Sequence, residues 1–304
     1  MTSYDALLLI SFGGPEGPED VIPFLRNVTR GRDIPRERLE QVGEHYHLFG
    51  GVSPINQQCR DLKAAIEADF AAHGLDLPVY WGNRNWTPYL ADTVRQMKAD
   101  GVRRAAAFVT SAYNGYSTSE QYIEDIARAR AEVGDAPEID KLPVYCERPG
   151  FVEPFVDAAR EALAGLPGDA RLVFTAHSVP LAQPGRATYA AELERVARTV
   201  AERAAPGTPW ALVYQSRSGP PSQPWLEPDV LDHLAELDEN GVTGVAVVPI
   251  GFVSDHMEVK YDLDHEAARR AAKLGIAFAR AATPSTDPRF VALARELIAE
   301  RSAG

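Results

Sequence analysis

Pro249-Ile250-Gly251-Phe252-Val253-Ser254-Asp255-His256-Met257-Glu258-Val259-Lys260-Tyr261-Asp262-Leu263-Asp264-His265-Glu266 joins two patterns. It closes an apolar run, Val242 to Ile250, that reads as a strand buried in a parallel sheet. Beyond the strand, Asp255, Glu258, Asp262 and Glu266 recur at helical spacing. Residues 258, 262 and 266 are four apart, so their carboxylates share one helix face. At about 1.5 Å per residue the row spans roughly 12 Å. Like charges so spaced repel by a few tenths of a kcal/mol per pair. Two readings stand at this point. One is a row that works on a cation; the other is a solvated acidic first turn that suits the helix dipole.

The composition narrows the function classes. The chain has 304 residues, 45% of them hydrophobic, enough for a large core and for two domains. Its net charge of −12 argues against nonspecific attraction to nucleic acid or anionic membrane. No run approaches the ~20 apolar residues of a membrane span. Met1-Thr2-Ser3-Tyr4-Asp5 lacks the positive start of a signal peptide, so Ala6 to Phe12 is expected to be a first strand and the protein cytoplasmic. Two cysteines, Cys59 and Cys146, exclude a disulfide scaffold and a four-thiolate site within the chain. Each reads as a small apolar residue.

Strand-like and helix-like runs alternate along the chain, which predicts an α/β fold of βαβ units with parallel sheets covered on both faces. Strands are expected at 5–12, 77–82, 104–110, 140–146, 171–176, 210–215, 243–250 and 276–280. Helices are expected near 18–28, 54–73, 88–99, 118–133, 151–165, 188–204, 227–239, 256–273 and 287–301. His45, His47, His233, His256 and His265 fall in helical runs. The segments around 147–150 and 166–169 are candidate crossovers. The halves also share punctuation. Trp81-Gly82-Asn83-Arg84-Asn85-Trp86-Thr87-Pro88 precedes a helix, Asp100-Gly101-Val102 and a strand. Gln215-Ser216-Arg217 and Pro224-Trp225-Leu226-Glu227-Pro228 precede a helix, Asn240-Gly241-Val242 and a strand. Duplication and the general likeness of βαβ units both account for this. Either way, two α/β lobes with a cleft between them are expected, with ligands beyond the C-terminal strand ends.

The loops leaving those ends carry the chemistry. Ser11-Phe12-Gly13-Gly14-Pro15-Glu16-Gly17-Pro18-Glu19-Asp20 is glycine-rich but is neither GxGxxG nor a P-loop. Its glycines permit positive φ or close backbone approach. Ser111 to Tyr122 holds Tyr113, Tyr116 and Tyr122, suited to a flat aromatic ligand or to core packing. The strand ending at Ala176 delivers His177, a residue that titrates near neutrality and ligates metals. A lone histidine is more often structural, but Glu258 also leaves a strand end in the same half. Together they form a candidate site for metal binding or proton transfer. No G-x-S-x-G elbow or HExxH is present, which argues against serine and zinc hydrolases.

His177-Ser178-Val179-Pro180, Gln215-Ser216 with Trp225-Leu226-Glu227-Pro228, and Pro249 to Glu258 together resemble the ferrochelatase family. Phe12-Gly13-Gly14-Pro15 and Gly50-Gly51-Val52-Ser53-Pro54 extend the resemblance, which covers nearly the whole chain in order. It implies two Rossmann-like lobes, each a four-stranded parallel sheet flanked by helices. The first would comprise residues 1–147 plus 286–304, with the last helix returning to it; the second, residues 148–285, would carry the metal site. The implied activity is insertion of Fe²⁺ into a porphyrin, with release of two protons. His177 and Glu258 resemble the paired catalytic and iron-binding residues, expected to face each other across the porphyrin. Asp262 and Glu266 resemble an outer cation site. Phe12, Ser53 and Tyr122 resemble porphyrin-lining positions, and Arg30 one that meets a propionate.

The departures from the family are informative. Many monomeric relatives have tyrosine at Phe12, and phenylalanine cannot ligate. A [2Fe–2S] cluster needs four thiolates; the position of one is Ser119 here, and the C-terminal cysteines have no counterpart. No cluster and no other cofactor are therefore expected, Fe²⁺ being a substrate. The apolar lip of membrane-bound relatives is replaced by Glu16-Gly17-Pro18-Glu19-Asp20. That favours coproporphyrin III, with four propionates, as substrate. The expected protein is a cytoplasmic monomer without stable membrane insertion and with no nucleic-acid partner. The alternatives are a protoporphyrin IX ferrochelatase, a chelatase for another metal, or a non-catalytic haem or porphyrin carrier.

Overall fold

The computed structural model describes residues 4–31, 34–219 and 222–303. The chain forms two compact units. The first takes the residues up to Thr110, Gln121–Pro143 and the stretch from Val291; the second takes Ser111–Glu120 and Val144–Phe290. The sequence reading places one boundary at 147 and keeps residues 111–120 in the first lobe. Those ten residues belong to the second unit because Tyr113 donates its hydroxyl to the Ile250 carbonyl (2.9 Å) and Asn114 binds the Glu192 carboxylate through its backbone and side-chain N–H groups (2.8 and 2.6 Å).

The first unit is built on β1 (Ala6–Ser11), β2 (Val79–Asn83), β3 (Arg104–Val109) and β4 (Glu138–Lys141), parallel and in the order β2-β1-β3-β4. β1 is buried along its whole length, as a central strand covered on both faces must be. Ala6, Leu8 and Ile10 meet Val94, Met97 and Ile126 on one of those faces. Its helices are α1 (Val21–Val28), α2 (Arg36–His47), α3 (Ile55–Ala72), α4 (Leu90–Ala99) and α5 (Gln121–Val133). A π-helical turn of the second unit, Tyr116–Glu120, leads into α5.

The second unit contains α6 (Pro149–Ala164), β5 (Arg171–His177), α7 (Arg186–Ala204), β6 (Trp210–Gln215), α8 (Val230–Glu239), β7 (Gly244–Val248), α9 (Met257–Val259), α10 (Ala268–Leu274) and β8 (Ala277–Arg280). Its four strands are parallel in the order β6-β5-β7-β8. The closing helix α11 (Pro288–Ala303) follows, and from Val291 it belongs to the first unit, where Arg295 pairs with Asp69 at 2.9 Å.

The likeness of the halves extends to topology. Each sheet repeats the same strand order, and each second strand closes on the start of the following helix through the same short parallel bridge. In the first unit Asn83 N–H donates to Pro88 O (2.7 Å); in the second Tyr214 N–H donates to Pro228 O (2.8 Å).

The segment expected as one helix over 256–273 has three parts. Between α9 and α10, residues Lys260–Ala267 form a π-helix. Val259, Leu263, Ala267 and Ala271 are all buried in the core with Val173, Val245 and Val247. This is a strict four-residue repeat. In an α-helix four residues turn through about 400°, so such a row drifts by roughly 40° a step. The wider π turn, bonded i→i+5, offsets that drift. It keeps both the apolar row and the acidic row one residue ahead of it on constant faces.

Candidate active site

β5 ends at His177, which pairs in register with Gln215 at the end of β6. The His177 carbonyl accepts the Tyr189 hydroxyl at 3.1 Å. Its Nδ1 lies against the Ser178 carbonyl, which can only accept, so Nδ1 carries the hydrogen. Nε2 is then the nitrogen left for a proton or a metal. The Ser178-Val179-Pro180 turn is held by the distant motif around Trp225: Ser178 Oγ donates to Leu226 O (2.8 Å), Leu226 N–H to Val179 O (3.0 Å), and Pro180 bridges Trp225.

Glu258 reaches the same place from the neighbouring strand β7. The turn Pro249–Phe252 lies on the end of β5, with Gly251 N–H donating to Thr175 O at 3.1 Å. A Cβ on Gly251 would stand 2.7 Å from Ala176 Cβ, so glycine is what permits this approach. His256 caps α9, its Nδ1 accepting the Glu258 N–H at 3.2 Å. The Gln215 side-chain amide donates to the Glu258 carbonyl at 2.6 Å. With its backbone held on both sides, Glu258 sets Oε1 at 3.3 Å from His177 Nε2, the two side chains being 39% and 34% exposed.

The pair's electrostatics follow. Burial alone would lower the His177 pKa, but the Glu258 carboxylate, the Ser178 carbonyl and Asp262 raise it to about 9. Burial likewise pushes Glu258 up, and the His177 charge and hydrogen bond overcome this, lowering it to about 2. The resting pair is thus imidazolium and carboxylate. His256 is depressed by burial and by the His177 charge, which keeps its ring neutral and able to accept the cap bond.

Asp262 stands one turn on. It accepts from Ser216 Oγ and, at 3.4 Å, from Gln215 Nε2. Ser216 has a left-handed φ of 62°, unusual for a residue with a Cβ, which turns its hydroxyl toward Asp262. Burial raises Asp262 to about 7; the Ser216 bond opposes this and the charges of Glu258 and Glu266 add to it. Glu266 continues the row. Among the described residues no three His, Cys, Asp or Glu side chains converge to cage a metal.

The distance within the pair corrects one expectation. Atoms on either side of an aromatic plane must be roughly 7 Å apart, twice an ordinary carbon contact. At 3.3 Å no macrocycle fits between His177 and Glu258, so the two do not face each other across a porphyrin; they can address only one of its faces together.

The remaining sequence-predicted residues lie in the first unit. Phe12 follows β1 and is 37% exposed, whereas Ser53 and Tyr122 are buried. The Arg84 guanidinium lies 4.5 Å from the Tyr122 ring centroid and 5.8 Å from that of Phe12, and is paired with Asp125. Ser53 sits against Gly14, where a Cβ would come within 2.6 Å of it. Arg30 is exposed and donates to Asn27 Oδ1 at 2.9 Å. The charged lip is tied down: Glu16 bridges Val52 and pairs with Arg60 at 2.5 Å. Sequence reasoning assigns no role to Gln215, Ser216 or His256. Gln215 and Ser216 could have been found from their place at a strand end; His256 could not, since its capping bond depends on the local turn.

Two four-stranded parallel sheets with a half-exposed His–Glu pair at one set of strand ends define a chelatase-type protein. The fold of SirB from Bacillus subtilis, solved with Fe³⁺, is similar with a TM-score of 0.59 at 14% identity, covering 99% of this chain and 98% of that one. CbiX, described as the terminal enzyme of sirohaem biosynthesis in denitrifying bacteria, is similar with a TM-score of 0.54 at 15% identity, covering 97% of this chain and 98% of that one. At these identities the likeness is one of fold. The Ferrochelatase family model matches residues 4–302, and the chain belongs to the ferrochelatase family. It is 59% identical over 306 residues to the coproporphyrin III ferrochelatase of Mycolicibacterium smegmatis, covering 98% of this chain and 90% of that protein. It is 55% identical over 322 residues to the coproporphyrin III ferrochelatase of Streptomyces griseus, covering 99% and 86%.

Proposed function

We propose that the protein inserts Fe²⁺ into coproporphyrin III to give Fe-coproporphyrin III, with release of the two pyrrole protons. The observation that carries this reading is the His177–Glu258 pair, with imidazole Nε2 and one carboxylate oxygen 3.3 Å apart. Glu258 stays ionised across the working range and supplies an oxygen ligand and a negative charge. His177 Nε2 becomes a ligand, or a base for a pyrrole N–H, once it has shed its own proton. Few protein ligands suit a metal that must leave for four porphyrin nitrogens. Asp262, raised to about 7, is the next group along the acidic face and is suited to passing protons outward.

Coproporphyrin as substrate is supported by the names of similar proteins and by the charged lip, with Glu19 exposed and Glu16 held by Arg60. Phe12, Arg30, Ser53 and Tyr122 are assigned to porphyrin contacts on the family resemblance. The outer cation site is assigned to Asp262 and Glu266 on the same ground. Among the described residues no helix is long and apolar enough to cross a membrane. A monomer without an iron–sulfur cluster completes the proposal.

The test is anaerobic metal insertion with Fe²⁺, followed as loss of porphyrin fluorescence with coproporphyrin III and with protoporphyrin IX. The expected result is a higher kcat/KM for coproporphyrin III. A preference for protoporphyrin overturns the substrate assignment, and binding without metal uptake overturns the enzyme.

A further inference from the structure

β8 ends at Arg280, whose side chain is 14% exposed and whose five N–H groups are all engaged. Nε donates to Asp264 Oδ1 (2.5 Å) and Nη2 to Asp264 Oδ2 (3.3 Å). Nη2 also donates to Asp255 Oδ2 (2.9 Å), and Nη1 to Asp255 Oδ1 (3.1 Å) and to the Ala281 carbonyl (3.1 Å). One guanidinium thus forks onto two carboxylates. Asp255 lies just before α9 and Asp264 within the π-helix, so Glu258 and Asp262 fall between the two attachment points. Thr283 Oγ1 adds a bond to Asp255 (2.9 Å) and Lys260 Nζ one to Asp264 (3.2 Å).

A π-helix is rare and is retained where tertiary contacts favour it. Here its apolar row packs on the core and its acidic row carries the candidate metal groups, which leaves a third face to be fixed. Burial of Leu263 and Ala267 restrains the segment's depth, but it says little about rotation and register. A planar, bidentate fork at two points fixes both; a lysine could supply the charge without the geometry.

We propose that Arg280 is a positioning residue for metal insertion: by clamping Asp255 and Asp264 it holds the π-helical segment in the register that sets Glu258 against His177. The inference rests on the reading of that pair as the metal-handling site. The N–H groups of Arg280 are taken up by Asp255, Asp264 and the Ala281 carbonyl, so its role is exerted through the segment.

The test uses Arg280→Lys and Asp264→Asn in the full chain, with two readouts. Amide hydrogen exchange over residues 257–267 of the metal-free protein reports the clamp without any activity. It is expected to quicken at least tenfold in Arg280→Lys and by less in Asp264→Asn. In anaerobic insertion assays kcat/KM for Fe²⁺ is expected to fall at least tenfold, while KM for the porphyrin stays within twofold. Unchanged exchange in the segment overturns the proposal. So does faster exchange with unaltered Fe²⁺ kinetics, or a loss that falls equally on porphyrin and metal. Should Arg280→Lys fail to fold, Asp264→Asn decides by the same criteria. Absence of insertion by the wild-type protein would sink the metal-site reading, while the exchange result would still report whether the clamp holds the segment.

Discussion

His177 Nε2 and Glu258 Oε1 stand 3.3 Å apart, on segments that leave the neighbouring strands β5 and β7. Each is useful because the other is there: the carboxylate keeps the imidazole protonated at rest, and the imidazolium keeps the carboxylate ionised.

Removing either member should stop the chemistry while sparing the fold, since both side chains are about a third exposed or more. His177→Ala and Glu258→Gln are each expected to lower kcat for Fe²⁺ insertion by at least ~10²-fold, the usual scale for a lost acid–base group. Porphyrin affinity, read by fluorescence quenching, should change little. Retention of more than a tenth of wild-type kcat in both variants would mean that the pair is not the reacting centre.

The raised His177 pKa makes metal binding a proton exchange. Below about 9 the imidazole is protonated, and a metal must displace that proton. Apparent affinity for Fe²⁺ should therefore rise about tenfold per pH unit from pH 6 to 8 and level off near 9. Anaerobic titration calorimetry in buffers of different ionisation enthalpy should find about one proton released per metal at pH 7. An affinity flat between pH 6 and 9 would contradict the assignment. Stability runs differently. The His177 contribution is complete below its ordinary 6.5 and is lost as pH rises through about 9. The Glu258 contribution is present above its ordinary 4.5 and is lost as pH falls through about 2. The ion pair thus stabilises the fold most between 4.5 and 6.5, and only modestly because solvent screens it.

The elements that announce themselves in the sequence are those whose burial is uniform. β1 and β7 are near-continuous apolar runs, and β5 is buried from Leu172 to Ala176, because helices cover both faces; all three lie where the pattern puts them. β4 does not: expected at 140–146, it occupies Glu138–Lys141, an edge strand of mostly polar residues that stops short of Pro143, which has no N–H to offer. α2 is legible only in part: His45 and His47 read as lying in a helical run, but RERLEQVGEHYH is so polar that its stripe of Leu39, Val42, Gly43 and Tyr46, of which only Leu39 and Gly43 are fully buried, sets no bounds. The acidic row at 258, 262 and 266 is legible as a shared face, but its π geometry is not, since i→i+5 bonding follows from packing on the core. His177 and Glu258 are legible as strand-end residues. Their separation is not, because it depends on Gly251 lying against Ala176 and on the Gln215 amide, contacts between residues far apart in sequence.

That amide gives the next expectation. Gln215 is buried and donates to the Glu258 carbonyl at 2.6 Å. Gln215→Met keeps the volume and removes the donor, leaving a partly buried carbonyl unsatisfied at a cost of about 1–3 kcal/mol. It also frees the Glu258 backbone. Urea unfolding should show the lost stability, and KM for Fe²⁺ should rise several-fold with KM for the porphyrin unchanged. Wild-type values for both Fe²⁺ kinetics and stability would remove Gln215 from the account of the site.

Gly251 tests whether the turn after β7 sets the pair's spacing. Its neighbours leave no room for a side chain, with Ala176 Cβ at 2.7 Å and Cα at 2.8 Å from a would-be Cβ. Those atoms belong to a central strand and cannot swing away, so Gly251→Ala must displace the turn, at about 1–3 kcal/mol. Ala176 immediately precedes His177, and the displaced turn leads to Glu258, so the shift acts on the distance between the two. Gly165→Ala is the control: its φ is −98° and a Cβ there would meet nothing within 4 Å. Gly251→Ala is expected to lower Tm and to reduce kcat/KM for Fe²⁺ at least tenfold, whereas Gly165→Ala should leave both near wild type. Equal behaviour of the two variants in the insertion assay would show that the spacing of His177 and Glu258 is set elsewhere.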